Sequence, residues 1–74
     1  MKKKIYKLLE EQLPLVDIES DRLYDELDSL GVTTILMTLS DAFDIELDVR
    51  DATPKNLKNL DSLVQLVERK QAEK

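Results

Sequence analysis

Residues 27–47 read Leu27-Asp28-Ser29-Leu30-Gly31-Val32-Thr33-Thr34-Ile35-Leu36-Met37-Thr38-Leu39-Ser40-Asp41-Ala42-Phe43-Asp44-Ile45-Glu46-Leu47. Within this stretch Val32, Ile35, Leu36, Leu39, Ala42 and Phe43 recur at i, i+3, i+4, i+7, i+10 and i+11. That spacing predicts an amphipathic helix from about Leu30 to Phe43 with a wide apolar stripe. Asp28 and Ser29 stand directly before it and are both good N-cap types, and an acid there also suits the positive end of the helix dipole.

Upstream, Ile5, Leu8 and Leu9 with Leu13 close to the same stripe predict a first helix that Pro14 ends. Residues 15–28 carry Leu15, Val16, Ile18, Leu23 and Leu27 without a sustained period and read as a long ordered loop of the kind that often carries function. Downstream, Ile45, Leu47 and Val49 alternate with acids over a few residues. A strand is rejected, because the chain offers no partner of similar pattern and a lone strand is not stable. The expectation is an extended loop, one or two turns of helix near Val49–Thr53, and a break at Pro54. Leu60, Leu63, Val64 and Val67 predict a last helix capped by Asn59, with Arg69 and Lys70 at its negative end. The fold class expected is all-α: a small four-helix bundle of three main helices and one short one, with a long first loop, over a single domain spanning residues 1–74.

Composition restricts the chemistry. The 74 residues include no Cys and no His, so disulfides, thiolate metal sites, and triads or zinc sites built on histidine are all excluded. A core of this size contributes only roughly 3–5 kcal/mol of net stability, and an enzyme that works alone is not expected. The net charge of −5 repels phosphate backbones and argues against nucleic-acid binding. It is unevenly spread: residues 1–16 carry +2, residues 17–51 carry −9 and residues 52–74 carry +2. Mutual repulsion in the middle predicts stabilisation by salt or divalent cations. Lys2, Lys3 and Lys4 resemble the start of a signal peptide, but charged residues follow too soon for an apolar region. A cytoplasmic monomer without stable membrane insertion is expected.

Leu27-Asp28-Ser29-Leu30-Gly31, followed by an apolar helix that runs into Phe43-Asp44-Ile45-Glu46-Leu47, resembles the core signature of acyl carrier proteins. The preceding Val16-Asp17-Ile18-Glu19-Ser20-Asp21 loop, the trailing Thr53-Pro54-Lys55-Asn56-Leu57 and Leu60-Asp61-Ser62-Leu63-Val64 segments, and the total length look like free-standing members of that family. The resemblance implies that Ser29 is esterified by the phosphate of 4′-phosphopantetheine, whose terminal thiol holds an acyl group as a thioester. Asp28 would then help a phosphopantetheinyl transferase recognise the site and would cap the helix, and Leu30 would pack beside the arm. A chain without a thiol fits a carrier whose cofactor brings one. It also implies partners that load or use the cargo: an acyl- or aminoacyl-activating ligase, an acyltransferase or a ketosynthase of fatty-acid, polyketide or related specialised synthesis.

Two alternatives stand beside this reading. One is an aminoacyl carrier, D-alanyl or peptidyl, which shares the motif, although Leu30 after the serine leans toward acyl cargo. The other is an unmodified acidic helical adaptor in which Ser29 is only a cap. A second Asp-Ser-Leu, at Asp61-Ser62-Leu63, lies inside the last amphipathic repeat, where Leu60 and Leu63 are core positions, and reads as coincidence. The helix after Ser29 departs from typical fatty-acid carriers, which place several acids on its exposed face. Here Gly31 follows where an acid is common, and Thr33, Thr34, Thr38 and Ser40 leave only Asp41. Gly31, Thr34 and Asp41 are the expected partner-binding positions, and a restricted partner set follows from a face with weak long-range steering. Met37 reads as core filling or, alternatively, as an adaptable wall for an acyl chain.

Overall fold

The apolar stripes read from the sequence become the buried faces of three α-helices in a computed structural model that describes residues 1–73. The elements are α1 (Lys2–Gln12), α2 (Ser29–Phe43) and α3 (Leu60–Ala72), with two 3₁₀ turns in the connections, Leu23–Glu26 and Val49–Asp51. The all-α expectation holds, and no strand occurs among the described residues. Each helix packs against the other two. Ile5 and Leu9 of α1, Ile35 and Leu39 of α2, and Leu60, Leu63 and Val67 of α3 meet in one core, joined from the loops by Ile18, Leu23, Ile45 and Leu57.

The caps differ in kind. Asn59 accepts the Ser62 amide proton at 2.9 Å and so starts α3 where its side chain predicts. At the other end of α2 the chain turns through Asp44 in the left-handed conformation, φ 52°, with its amide donating to the Ser40 carbonyl. An aspartate tolerates this region better than most residues because its side chain is short and polar.

Two expectations change. The loop at 15–28 contains a 3₁₀ turn, because Leu23 is fully buried and its amide donates to the Lys58 carbonyl at 2.9 Å, which docks the loop against the start of α3. The fourth helix, expected over Val49–Thr53, shrinks to the 3₁₀ turn Val49–Asp51. A reciprocal box closes it: Asp48 accepts the Arg50 amide at 2.8 Å while Asp51 accepts the Asp48 amide at 3.0 Å. Thr53 Oγ1 then accepts the Asn56 amide at 3.1 Å, which turns the chain instead of prolonging a helix. Val49 is 83% exposed, so it is no core position, although Ile45 is buried.

One ion pair and a hydrogen bond tie the second connection to α3, and a further hydrogen bond braces the connection itself. Lys70 Nζ meets Asp51 Oδ1 at 3.0 Å, Arg69 donates to Asn56 Oδ1 at 2.7 Å, and Asn56 Nδ2 donates to the Asp51 carbonyl at 3.0 Å. The hydrogen bond to Asp51 raises the Lys70 ammonium above its ordinary range, and Arg50 beside Asp48 holds that carboxyl below the usual carboxylate range. At the opposite end Lys2 pairs with Asp61 at 2.8 Å, linking the first turns of α1 and α3.

Candidate functional site

The start of α2 brings Asp28, Ser29 and Leu30 together at the surface, all three exposed. Asp28 is the N-cap: its backbone is extended, its Oδ1 accepts the Gly31 amide at 2.7 Å, and its carbonyl accepts the Val32 amide at 3.0 Å. Ser29 is therefore the first helical residue rather than the cap, one position earlier than periodicity placed the helix. A carboxylate is the stronger acceptor at the positive end of the dipole, so it takes the capping role and frees the serine.

The fate of each hydroxyl separates Ser29 from the others. Thr33 and Thr34 donate to the carbonyls of Ser29 and Leu30 at 3.0 and 2.8 Å, and Ser40 to that of Leu36 at 2.7 Å. Ser20 and Thr53 accept backbone amides, and Ser62 donates to Asn59 Oδ1 at 3.0 Å. Among the described serines and threonines, only Ser29 and Thr38 have hydroxyls outside any hydrogen bond. Thr38 is half-buried in the middle of α2, whereas Ser29 is exposed at its start. The amides of Ser29 and Leu30 are also without intrahelical acceptors, which leaves the positive end of α2 open beside the Ser29 hydroxyl. An exposed hydroxyl at such a position suits a phosphate ester, whose charge the helix end favours.

A family model described as the phosphopantetheine attachment site matches residues 3–67. The chain belongs to this family. Neither the curated proteins nor the solved structures offer a significant match. A domain of this kind is the site of covalent 4′-phosphopantetheine attachment, and the chain is a phosphopantetheine carrier protein. The arm supplies a thiol that can hold a carboxylic acid as a thioester, chemistry that a sequence without cysteine lacks.

Of the remaining expected positions only Gly31 lies at the start of α2. Gly31 is buried against Leu27 and Asp28 and offers no side to a partner. Thr34 and Asp41 line a groove of about 540 Å³ between α1 and α2, together with Leu8, Gln12, Met37 and Thr38. By helical geometry Thr34 and Thr38 lie about 140–180° round α2 from Ser29. The groove and the serine thus occupy different flanks of one helix. Met37 is 61% exposed, which excludes core filling, and it lines the groove, while Leu30 is 73% exposed. These two side chains stand two turns apart on the outer face of α2. Sequence reasoning did not find the contribution of α1 to the groove. The apolar spacing groups Leu8 with Ile5 and Leu9, yet only those two are buried, and Leu8 is half-buried in the groove. No helix among the described residues is long and apolar enough to cross a membrane.

Proposed function

We propose that the protein is an acyl carrier whose arm is attached at Ser29. The reading is carried by the exposed, unengaged hydroxyl of Ser29 at the first position of a helix whose cap is the neighbouring Asp28. In arm transfer the Ser29 oxygen forms a bond to the β-phosphorus of coenzyme A and the pyrophosphate P–O bond breaks. Adenosine 3′,5′-bisphosphate leaves, and the serine proton passes to a base of the transferase. Asp28 fixes the turn that presents the oxygen, and the open end of α2 favours the phosphodiester charge.

The cargo is acyl, and the chain acts as substrate and partner of enzymes rather than as a catalyst, within the cytoplasm and as a monomer. Its partners are a phosphopantetheinyl transferase and enzymes of the acyl-activating, acyltransferase or ketosynthase kind, from a specialised pathway. Support for a restricted set comes from the outer face of α2. It presents Leu30 and Met37 with one carboxylate, Asp41, about 18 Å along the helix from Ser29. The hydroxyls of Thr33 and Thr34 are turned back on the helix, so a partner gains shape and apolar contact there and little long-range steering.

Incubation of the apo chain with a phosphopantetheinyl transferase and coenzyme A, followed by intact-mass measurement, tests the attachment residue. The expected result is a gain of one arm in the natural sequence and in Ser62→Ala, and none in Ser29→Ala. Modification that persists in Ser29→Ala overturns the assignment.

A further inference from the structure

We infer that Gly31 is a positioning residue for arm attachment, because its lack of a side chain lets Leu27 and Asp28 close together on the first turn of α2 and set the direction of Ser29. The inference rests on Ser29 as the attachment residue and goes beyond it by assigning a role to a buried position two residues away.

The geometry is specific. A Cβ at Gly31 would stand 3.3 Å from Asp28 Oδ1, 3.3 Å from Leu27 Cδ2 and 3.8 Å from Leu27 Cβ. The first two contacts are tighter than side-chain carbons ordinarily make, so a larger residue must push on the cap, on Leu27, or on both. These are the groups that define how the chain enters the helix. Asp28 holds the Gly31 amide at 2.7 Å, and Leu27 packs against the core from the position just before the cap. Leu27 and Val32 occupy the two positions of a hydrophobic staple, which fixes the entry angle of a chain into its helix. Ser29 lies between these two fixed points.

Nothing about backbone conformation calls for glycine here, since Gly31 is helical and has no positive φ. Helix propensity favours Ala over Gly at an ordinary helical position. The requirement is one of space, and it opposes propensity, which makes the two explanations separable.

The test measures transferase kinetics with coenzyme A for the natural sequence, Gly31→Ala and Ser29→Ala, below the melting midpoint of each. The outer face of α2 is unaltered in Gly31→Ala, so KM for the carrier should hold while kcat falls by about three- to tenfold, as expected for a misdirected nucleophile. Exchange protection of the amide at position 31 should weaken in the same variant, because the Asp28 cap has been displaced. A natural kcat in Gly31→Ala, or a change confined to KM, overturns the inference while leaving Ser29 in place. Modification of Ser29→Ala overturns the underlying reading instead.

Discussion

Removing the cap of α2 tests the link between Asp28, the helix end and the stability of the domain. In Asp28→Ala the Gly31 amide loses its 2.7 Å acceptor, which costs about 1 kcal/mol for a typical N-cap. The carboxylate charge at the helix start contributes a further ~0.3–1 kcal/mol. The sum approaches 2 kcal/mol, a large share of the roughly 3–5 kcal/mol available to a core of this size. One effect opposes it: residues 17–51 carry −9, and deleting an acid relieves repulsion. Working at about 0.15 M salt, where the Debye length is about 8 Å, suppresses that relief and leaves the local bond to decide the sign. With a urea m-value of about 1 kcal/mol/M, the midpoint of Asp28→Ala should fall by about 1.5 M. Asp28→Asn keeps an acceptor oxygen and loses only the charge, so its midpoint should fall by about 0.5 M. Urea titrations followed by far-UV circular dichroism read both. Equal midpoints for Asp28→Ala and Asp28→Asn would show that the hydrogen bond contributes nothing. Two variants at the natural midpoint would refute the reasoning about this helix end altogether.

Two further outcomes follow from the core and from the charge distribution. Leu39 is fully buried in the cluster shared by all three helices, and Leu39→Ala should lose about 2–5 kcal/mol, enough to leave much of the chain unfolded at 25 °C; a cooperative melt within a few degrees of the natural one would contradict the packing described. The repulsion among residues 17–51 should make Tm rise as sodium chloride is raised from 0.01 to 0.15 M, with magnesium at equal ionic strength doing no more, since no group of three or more acids among the described residues is arranged to hold a metal. A flat salt dependence, or a distinct magnesium effect, would sink this account.

The parts of the fold that depend on local pattern were legible in the sequence. Periodicity located all three helices, and Asn59 marked the start of α3 because a cap acts across only three residues. What stayed hidden depends on distant partners. Leu23 forms a 3₁₀ turn because its amide finds the carbonyl of Lys58, and no local pattern encodes a bond across that separation. Val49 alternates with Ile45 and Leu47 as if buried, yet the box between Asp48 and Asp51 turns it outward. Within the site, the Asp28-Ser29-Leu30 triplet could be located; two adjacent cap-forming types left the cap open by residue type alone, and the family resemblance gave it to Asp28, where the structure has it. Met37 was misjudged for a different reason. It is an apolar residue on the outer face, and its spacing from Leu30 makes it part of that face and not of the stripe through Ile35 and Leu39.

With arm attachment at Ser29, as we propose, the Asp28 cap keeps the start of α2 intact. Had Ser29 been the cap, its oxygen would be held by a backbone amide, and arm attachment would break a helix-starting bond each time. With Asp28 in that role, esterification of Ser29 leaves the capping bond between Asp28 and Gly31 in place. The helix start is then independent of whether the arm is present. Ile35 and Leu39 anchor the other side of α2 in the core, so the serine and the outer face bearing Leu30 and Met37 keep a fixed relation. With the arm at Ser29, as we propose, a partner docking on that face would meet the base of the arm at a constant distance along the helix. Variation is left to the arm itself.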